Sequence, residues 1–179
     1  KLVWNANYAE HPNKPLRAPQ LHEETDAIEE VEITGALRMT ISADGRSDKC
    51  YLLESESYDT LYEAGYDASK KMSGRLNVFT IAEDKQLAVN ATNSIEGTRV
   101  GVRTGEETTY TFRFSHLQSD KDLVLWDKET KMKVFIDEDI EYTFYAVPNS
   151  EITERFQIVA ANIPTITTGV DEIESETKV

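Results

Sequence analysis

Cysteine is nearly absent: Cys50 is the only one among 179 residues. A disulfide framework and a cysteine-based zinc site within the chain are therefore both excluded. Cys50 sits in the strand-like run Lys49-Cys50-Tyr51-Leu52-Leu53 and reads as a small buried apolar residue, not a reactive thiol. There is also no apolar run of about 18 residues or more, so no membrane-spanning helix and no signal-peptide core is expected within these residues. Positive charge is scarce as well. Lys and Arg number 19 against 33 Asp and Glu, a net charge of −14. Nucleic-acid binding requires clustered bases that neutralise phosphates, and an anionic membrane surface requires the same, so both partners are disfavoured.

Catalytic patterns are missing too. The three histidines, His11, His22 and His116, occur in no metal-binding pair. No nucleophile elbow and no glycine-rich phosphate loop occurs. His116 follows the apparent strand Phe112-Arg113-Phe114 and reads as a strand-end histidine. Carboxylates are so abundant that a pair suited to glycoside hydrolysis carries no information. No enzyme activity and no cofactor is expected.

What the chain does have is alternation. Val31, Ile33, Leu37, Met39 and Ile41 alternate with polar residues, and Ala43-Asp44-Gly45-Arg46 is a turn. Asn77–Ile81 and Gln86–Asn90 flank Glu83-Asp84-Lys85 and predict a β-hairpin. Thr98–Val102, Thr109–Phe114, Leu123–Trp126, Lys131–Ile136, Tyr142–Val147 and Phe156–Ala160 continue the series. About nine or ten strands at turn spacings of about 8–12 residues predict an all-β fold, an antiparallel β-sandwich of jelly-roll or Ig-like type. Within it Phe156 is expected to face the core. Arg155 is expected to pair with a carboxylate on a neighbouring strand, contributing about 0–1 kcal/mol if exposed.

Charge is unevenly spread. Residues 1–22 carry +2, residues 23–32 carry −6 and residues 171–179 carry −3, which leaves −7 for 33–170. The first flank is punctuated by Pro12, Pro15 and Pro19. The expected organisation is an extended lead-in over 1–30, a β-sandwich domain over 31–161 and a linker over 162–179. A start at Lys1 is read as a mature or excised product.

Three features are candidates for binding. Residues 57–73 break the alternation and form a long Tyr-rich connection. Its carboxylates Asp59, Glu63 and Asp67 are hard oxygen ligands that suit Ca²⁺, although Lys70 supplies an internal counter-ion and favours a loop pinned by backbone amides. Tyr58, Tyr62 and Tyr66 recur every fourth residue, and with Trp126 they are candidates for stacking sugars; the competing reading packs them as core and loop residues. The Asp137-Glu138-Asp139 cluster reads as a solvated turn. Asn90-Ala91-Thr92 and Asp59-Thr60-Leu61 match short sugar-attachment patterns.

Taken in order, several segments resemble one family. They are Leu16-Arg17-Ala18-Pro19-Gln20-Leu21, Leu37–Ser42, Tyr62-Glu63-Ala64-Gly65-Tyr66-Asp67-Ala68-Ser69-Lys70, Leu125–Thr130, Glu141–Phe144, Glu154-Arg155-Phe156 and Thr167–Ile173. The set resembles the β-sandwich module near the C-terminus of exported Bacteroidetes surface proteins, whose tails are read by type IX secretion. Glu63 stands where that pattern has Asp, and Trp126 is larger than its usual residue. The resemblance implies a non-catalytic, adhesin-like module with no cofactor, secreted or displayed at the cell surface. It implies no fixed ligand; surface glycans or other surface proteins are the partner classes open to such a module, and residues 162–179 read as a linker toward a C-terminal sorting tail. A carbohydrate-binding module is the alternative expectation.

Overall fold

A computed structural model describes residues 31–72 and 74–161. The chain divides into the units Lys1–Glu30 and Val31–Val179, and every described residue lies in the second. The expected lead-in over 1–30 and linker over 162–179 lie outside the described residues.

The all-β expectation holds. Among the described residues there are eleven strands and no helix. β1 (Gly35–Ala43) and β2 (Arg46–Glu54) form a hairpin in register from Gly35↔Glu54 to Ala43↔Arg46. Its two-residue turn, Asp44-Gly45, has φ 44° and 72°. Two positive φ values match the right-handed twist of the flanking strands, which is why Asp-Gly is favoured there. Along β1 burial alternates residue by residue, with Leu37, Met39 and Ile41 inside. β3 (Ala68–Ser69) is a short strand inside the Tyr-rich connection, which sequence alternation does not foretell. β4 (Asn77–Ala82) and β5 (Lys85–Thr92) make the expected hairpin around Glu83-Asp84.

The remaining strands are β6 (Arg99–Arg103), β7 (Thr109–Gln118), β8 (Leu123–Asp127), β9 (Met132–Phe135), β10 (Glu141–Tyr145) and β11 (Glu151–Ala160). They join one continuous sheet of order β10-β7-β1-β2-β5-β4-β6-β11-β8-β9, with β3 added to β5. All pairs along that path are antiparallel except β2–β5, which is parallel from Tyr51↔Val89 to Glu54↔Thr92. The sheet is therefore mixed. A period of two assigns each residue to a face, but it does not choose the neighbouring strand or its direction. The long connection after β2 provides the length that a parallel return requires.

The sheet rolls until its two ends face each other, close to a closed barrel. The Phe156 ring of β11 meets Phe144 of β10 at 4.8 Å and Phe112 of β7 at 5.2 Å, both edge-on. One hydrophobic core fills the interior and includes Met39, Cys50, Leu52, Val102, Tyr110 and Ile158. On β6, Gly101 lies opposite Phe79 of β4, and a Cβ built at Gly101 would run into the buried Phe79 ring. Gly101→Ala is expected to cost about 1–3 kcal/mol through overpacking, read as a lower urea midpoint with an unchanged m value.

Candidate functional site

The Tyr-rich connection is held by its own charged residues. Asp67 accepts hydrogen bonds from two backbone amides, Glu63 N at 2.7 Å and Ala91 N of β5 at 2.8 Å. The Asp67 amide in turn donates to the Glu63 carbonyl at 3.0 Å, and Gly65 turns the chain with φ 114°. Lys70 points inward, its side chain 6% exposed, and its Nζ lies 2.5 Å from Asp48 of β2. The same Nζ donates to the Lys49 carbonyl, while Asp48 accepts from Val78 N of β4. Asp67 and Lys70 thus fasten the loop to β2, β4 and β5.

Asp59 accepts from the amides of Thr60 and Leu61, a local turn contact on the exposed side of the loop. Asp59, Glu63 and Asp67 are not gathered into a common ligand set. Among the described residues no group of three or more His, Cys, Asp or Glu side chains is placed to hold a metal ion. Asp67→Asn keeps one acceptor but turns an NH₂ group toward an amide donor, an expected loss of about 1–3 kcal/mol in thermal or urea unfolding. Millimolar Ca²⁺ is expected to leave the wild-type unfolding temperature where EDTA leaves it. A rise that disappears in Asp67→Asn would instead reveal a Ca²⁺ site.

The aromatic candidates fall in two places. Tyr58 and Tyr66 pack together at 5.1 Å, with Tyr66 48% exposed, and the Lys85 Nζ caps the Tyr62 ring at 4.2 Å. Trp126 lies elsewhere, on β8, four strands from β5 along the sheet. Its neighbours Leu125 and Asp127 are fully buried, so Trp126 points to the outer face, half-buried and outside the core. It stands in register between Gln157 of β11 and Lys133 of β9. Lys128 and Lys133 each bring an ammonium to 5.8 Å from the indole centroid.

Asp127, Tyr142 and Arg155 form a buried ion cluster that local pattern reading does not assemble. The Asp127 carboxylate accepts from Arg155 Nη2 at 2.7 Å, Arg155 Nε at 3.0 Å and the Tyr142 hydroxyl at 2.8 Å. The amides of Glu129 and Thr130 complete its shell. Arg155 also donates to the Tyr145 carbonyl at 2.8 Å and pairs with Glu129 at 2.9 Å. Its guanidinium lies over the Phe156 and Phe144 rings, 5.0 and 5.1 Å from their centroids. β8, β10 and β11 are thereby tied together where the sheet ends meet.

Burial opposes ionisation of Asp127, but hydrogen bonds from Arg155, Tyr142 and Thr130 outweigh it and hold the carboxyl at about 2. Burial pushes the Tyr142 hydroxyl up, opposed by its hydrogen bond with Thr130 and reinforced by Asp127. Such perturbation accompanies active sites and structural ion networks alike. Here none of the surface cavities of 410, 350 and 280 Å³ is lined by Asp127, Arg155 or Tyr142. The expected pairing of Arg155 with a carboxylate of a neighbouring strand is present, and it lies inside: the Arg155 side chain is 7% exposed and that of Asp127 0%, so the value for an exposed pair does not apply.

The other candidates resolve simply. Burial pushes the Cys50 thiol up to about 12, with Lys70 lowering and Asp48 raising it, so the thiolate nucleophile is suppressed. No hydrogen bond links the His116 imidazole to a serine or carboxylate among the described residues; its backbone N–H donates to Glu138. His11 and His22 lie outside the described residues. Asn90 is buried within β5, whereas Thr60 is exposed. Asp137 accepts from the Asp139 amide in a tight turn. The chain matches no family model, no curated protein and no solved structure.

Proposed function

We propose that this chain is a non-catalytic surface module, structural or adhesion-type, near the C-terminus of a larger exported bacterial protein of the Bacteroidetes type. On this reading the two halves of the rolled sheet serve as facing layers of a jelly-roll or Ig-like sandwich. One observation carries the proposal. Six residues within the segments behind the family resemblance (Asp67, Lys70, Asp127, Tyr142, Arg155 and Phe156) fasten a loop or close a core, and none of the six lines the cavities of 410, 350 and 280 Å³. A scaffold of this kind can be joined to varied neighbours while function resides elsewhere. Protease treatment of intact cells of the source organism tests the reading. Loss of the protein while cytoplasmic markers survive supports display at the surface; complete protection overturns it.

A second reading, a carbohydrate-binding module, is favoured by one feature, the outward-facing Trp126 on a strand of the sheet. A glycan array on the folded protein tests it, with loss of signal in Trp126→Ala as the supporting result. Signal at background on every glycan ends it.

A further inference from the structure

Arginine and lysine are treated differently in this fold. Every described arginine except Arg38 is ion-paired, whereas among the described lysines only Lys70 is. Three of the unpaired lysines, Lys128, Lys131 and Lys133, crowd the β8–β9 hairpin. The cause is local. The hairpin's own carboxylates, Asp127 and Glu129, are both bound to Arg155, which leaves the ammonium groups beside them without a counter-charge.

Two of those ammonium groups converge on the Trp126 ring from different positions, Lys133 across the strand pair and Lys128 two residues along. The outer face continues from Trp126 through Gln157 to Arg99, three inter-strand steps of about 4.8 Å counted from Lys133. Phe135, 52% exposed, stands one alternation beyond Lys133 and extends the apolar surface. The face therefore combines an indole, a second ring and unpaired cations on a protein whose net charge is −14.

We propose that this face binds an acidic polysaccharide, a polymer of sugars bearing uronic carboxylates, with a ring stacked on Trp126 and its carboxylate held by Lys128 and Lys133. The inference rests on the carbohydrate-binding reading above and names its ligand class. Stacking on an aromatic face and charge-assisted donation to a carboxylate are the two interactions this geometry supplies. Nucleic acid fits poorly, because one negative charge per ~1.7 Å of duplex would face the strongly acidic remainder of the protein. An acidic polysaccharide carries at most one carboxylate on each sugar ring.

The test uses the full chain in affinity electrophoresis and titration with polygalacturonate, the same polymer after carboxyl reduction, a neutral glucan and a DNA duplex. Polygalacturonate is expected to bind, with roughly tenfold weaker affinity in either Trp126→Ala or the double variant Lys128→Gln/Lys133→Gln. The carboxyl-reduced polymer is expected to bind as weakly as that double variant. Because Lys133 is exposed and Lys128 half-buried, with neither ammonium ion-paired, the double variant keeps the test valid even if Trp126→Ala folds poorly. Binding of neutral glucan that the lysine variant leaves untouched overturns the acidic-ligand inference and retains the carbohydrate module. Equal retention of DNA shows unspecific charge attraction and overturns it as well. Absence of binding to every glycan ends both.

Discussion

Asp127→Asn is expected to destabilise the protein by about 3–5 kcal/mol, because it removes the charge that neutralises a buried guanidinium. Arg155 cannot turn outward without abandoning the Tyr145 carbonyl and its seat over Phe144 and Phe156. Glu129, 68% exposed, reaches only Nη1 and is too well solvated to replace a carboxylate with 0% exposure. Domain stabilities are about 5–15 kcal/mol, so the urea midpoint should fall sharply. The double variant Asp127→Asn/Arg155→Met removes the orphaned charge and is expected to regain much of the loss. A single-variant loss below about 1 kcal/mol, or no recovery in the pair, would contradict the buried ion pair.

The same cluster sets an acid limit. The folded carboxyl of Asp127 titrates at about 2, below the unfolded value of about 3.9. A depressed folded value means that its stabilisation is present above about pH 4 and is lost as pH falls toward 2. The contribution is of order 2–3 kcal/mol. Asp127→Asn, which cannot titrate, should show a correspondingly shallower loss of stability over that window.

Phe156→Ala is expected to cost about 3–5 kcal/mol. The ring is fully buried and touches Phe112 and Phe144 across the rolled sheet, so truncation opens a cavity between strands that share no ladder hydrogen bonds. Neither β7 nor β10 can collapse freely into that space, because each is held by its own pairing. Truncation also removes one of the two aromatic faces beneath Arg155. Phe156→Leu retains apolar volume and should lose less than half as much. A loss below about 1 kcal/mol in Phe156→Ala would mean that the strand faces the other way.

Alternation in Leu37-Arg38-Met39-Thr40-Ile41 assigns strand and faces correctly, since the side-chain period of two is a property of the backbone alone. Asn77–Ile81 was legible as a strand but not by its faces, because Asn77 to Thr80 are all buried. The Asp44-Gly45 turn was legible for the same reason: its φ values belong to two adjacent residues. The local sequence also placed Phe156 inside. It made Lys70 the counter-ion of its own loop's carboxylates, whereas the folded chain turns that ammonium to Asp48 of β2, a partner 22 residues away that only strand packing supplies. It did not find β3, whose two residues form a strand only because β5 lies beside them. Nor did it find the parallel β2–β5 pair, which depends on where a long connection returns the chain.

The binding and ion sites divide along the same line. Composition alone determined that this protein is strongly acidic and poor in cysteine, and the order of its residues that it is rich in strands. Leu-Trp-Asp-Lys-Glu-Thr and Glu-Arg-Phe were visible as segments, but 28 residues separate Asp127 from Arg155. Only the antiparallel register of β8 on β11 places Phe156 opposite Asp127 and brings its neighbour Arg155 to the carboxylate. The pairing of β8 with β9 brings Lys133 to the outward-facing Trp126, and with Asp127 and Glu129 bound to Arg155 it and Lys128 stand there without a counter-charge. Local patterns determine which face a residue takes, because that is set by the backbone of its own strand. Which residues meet on that face, and which charges go unpaired, is decided only when distant strands pair.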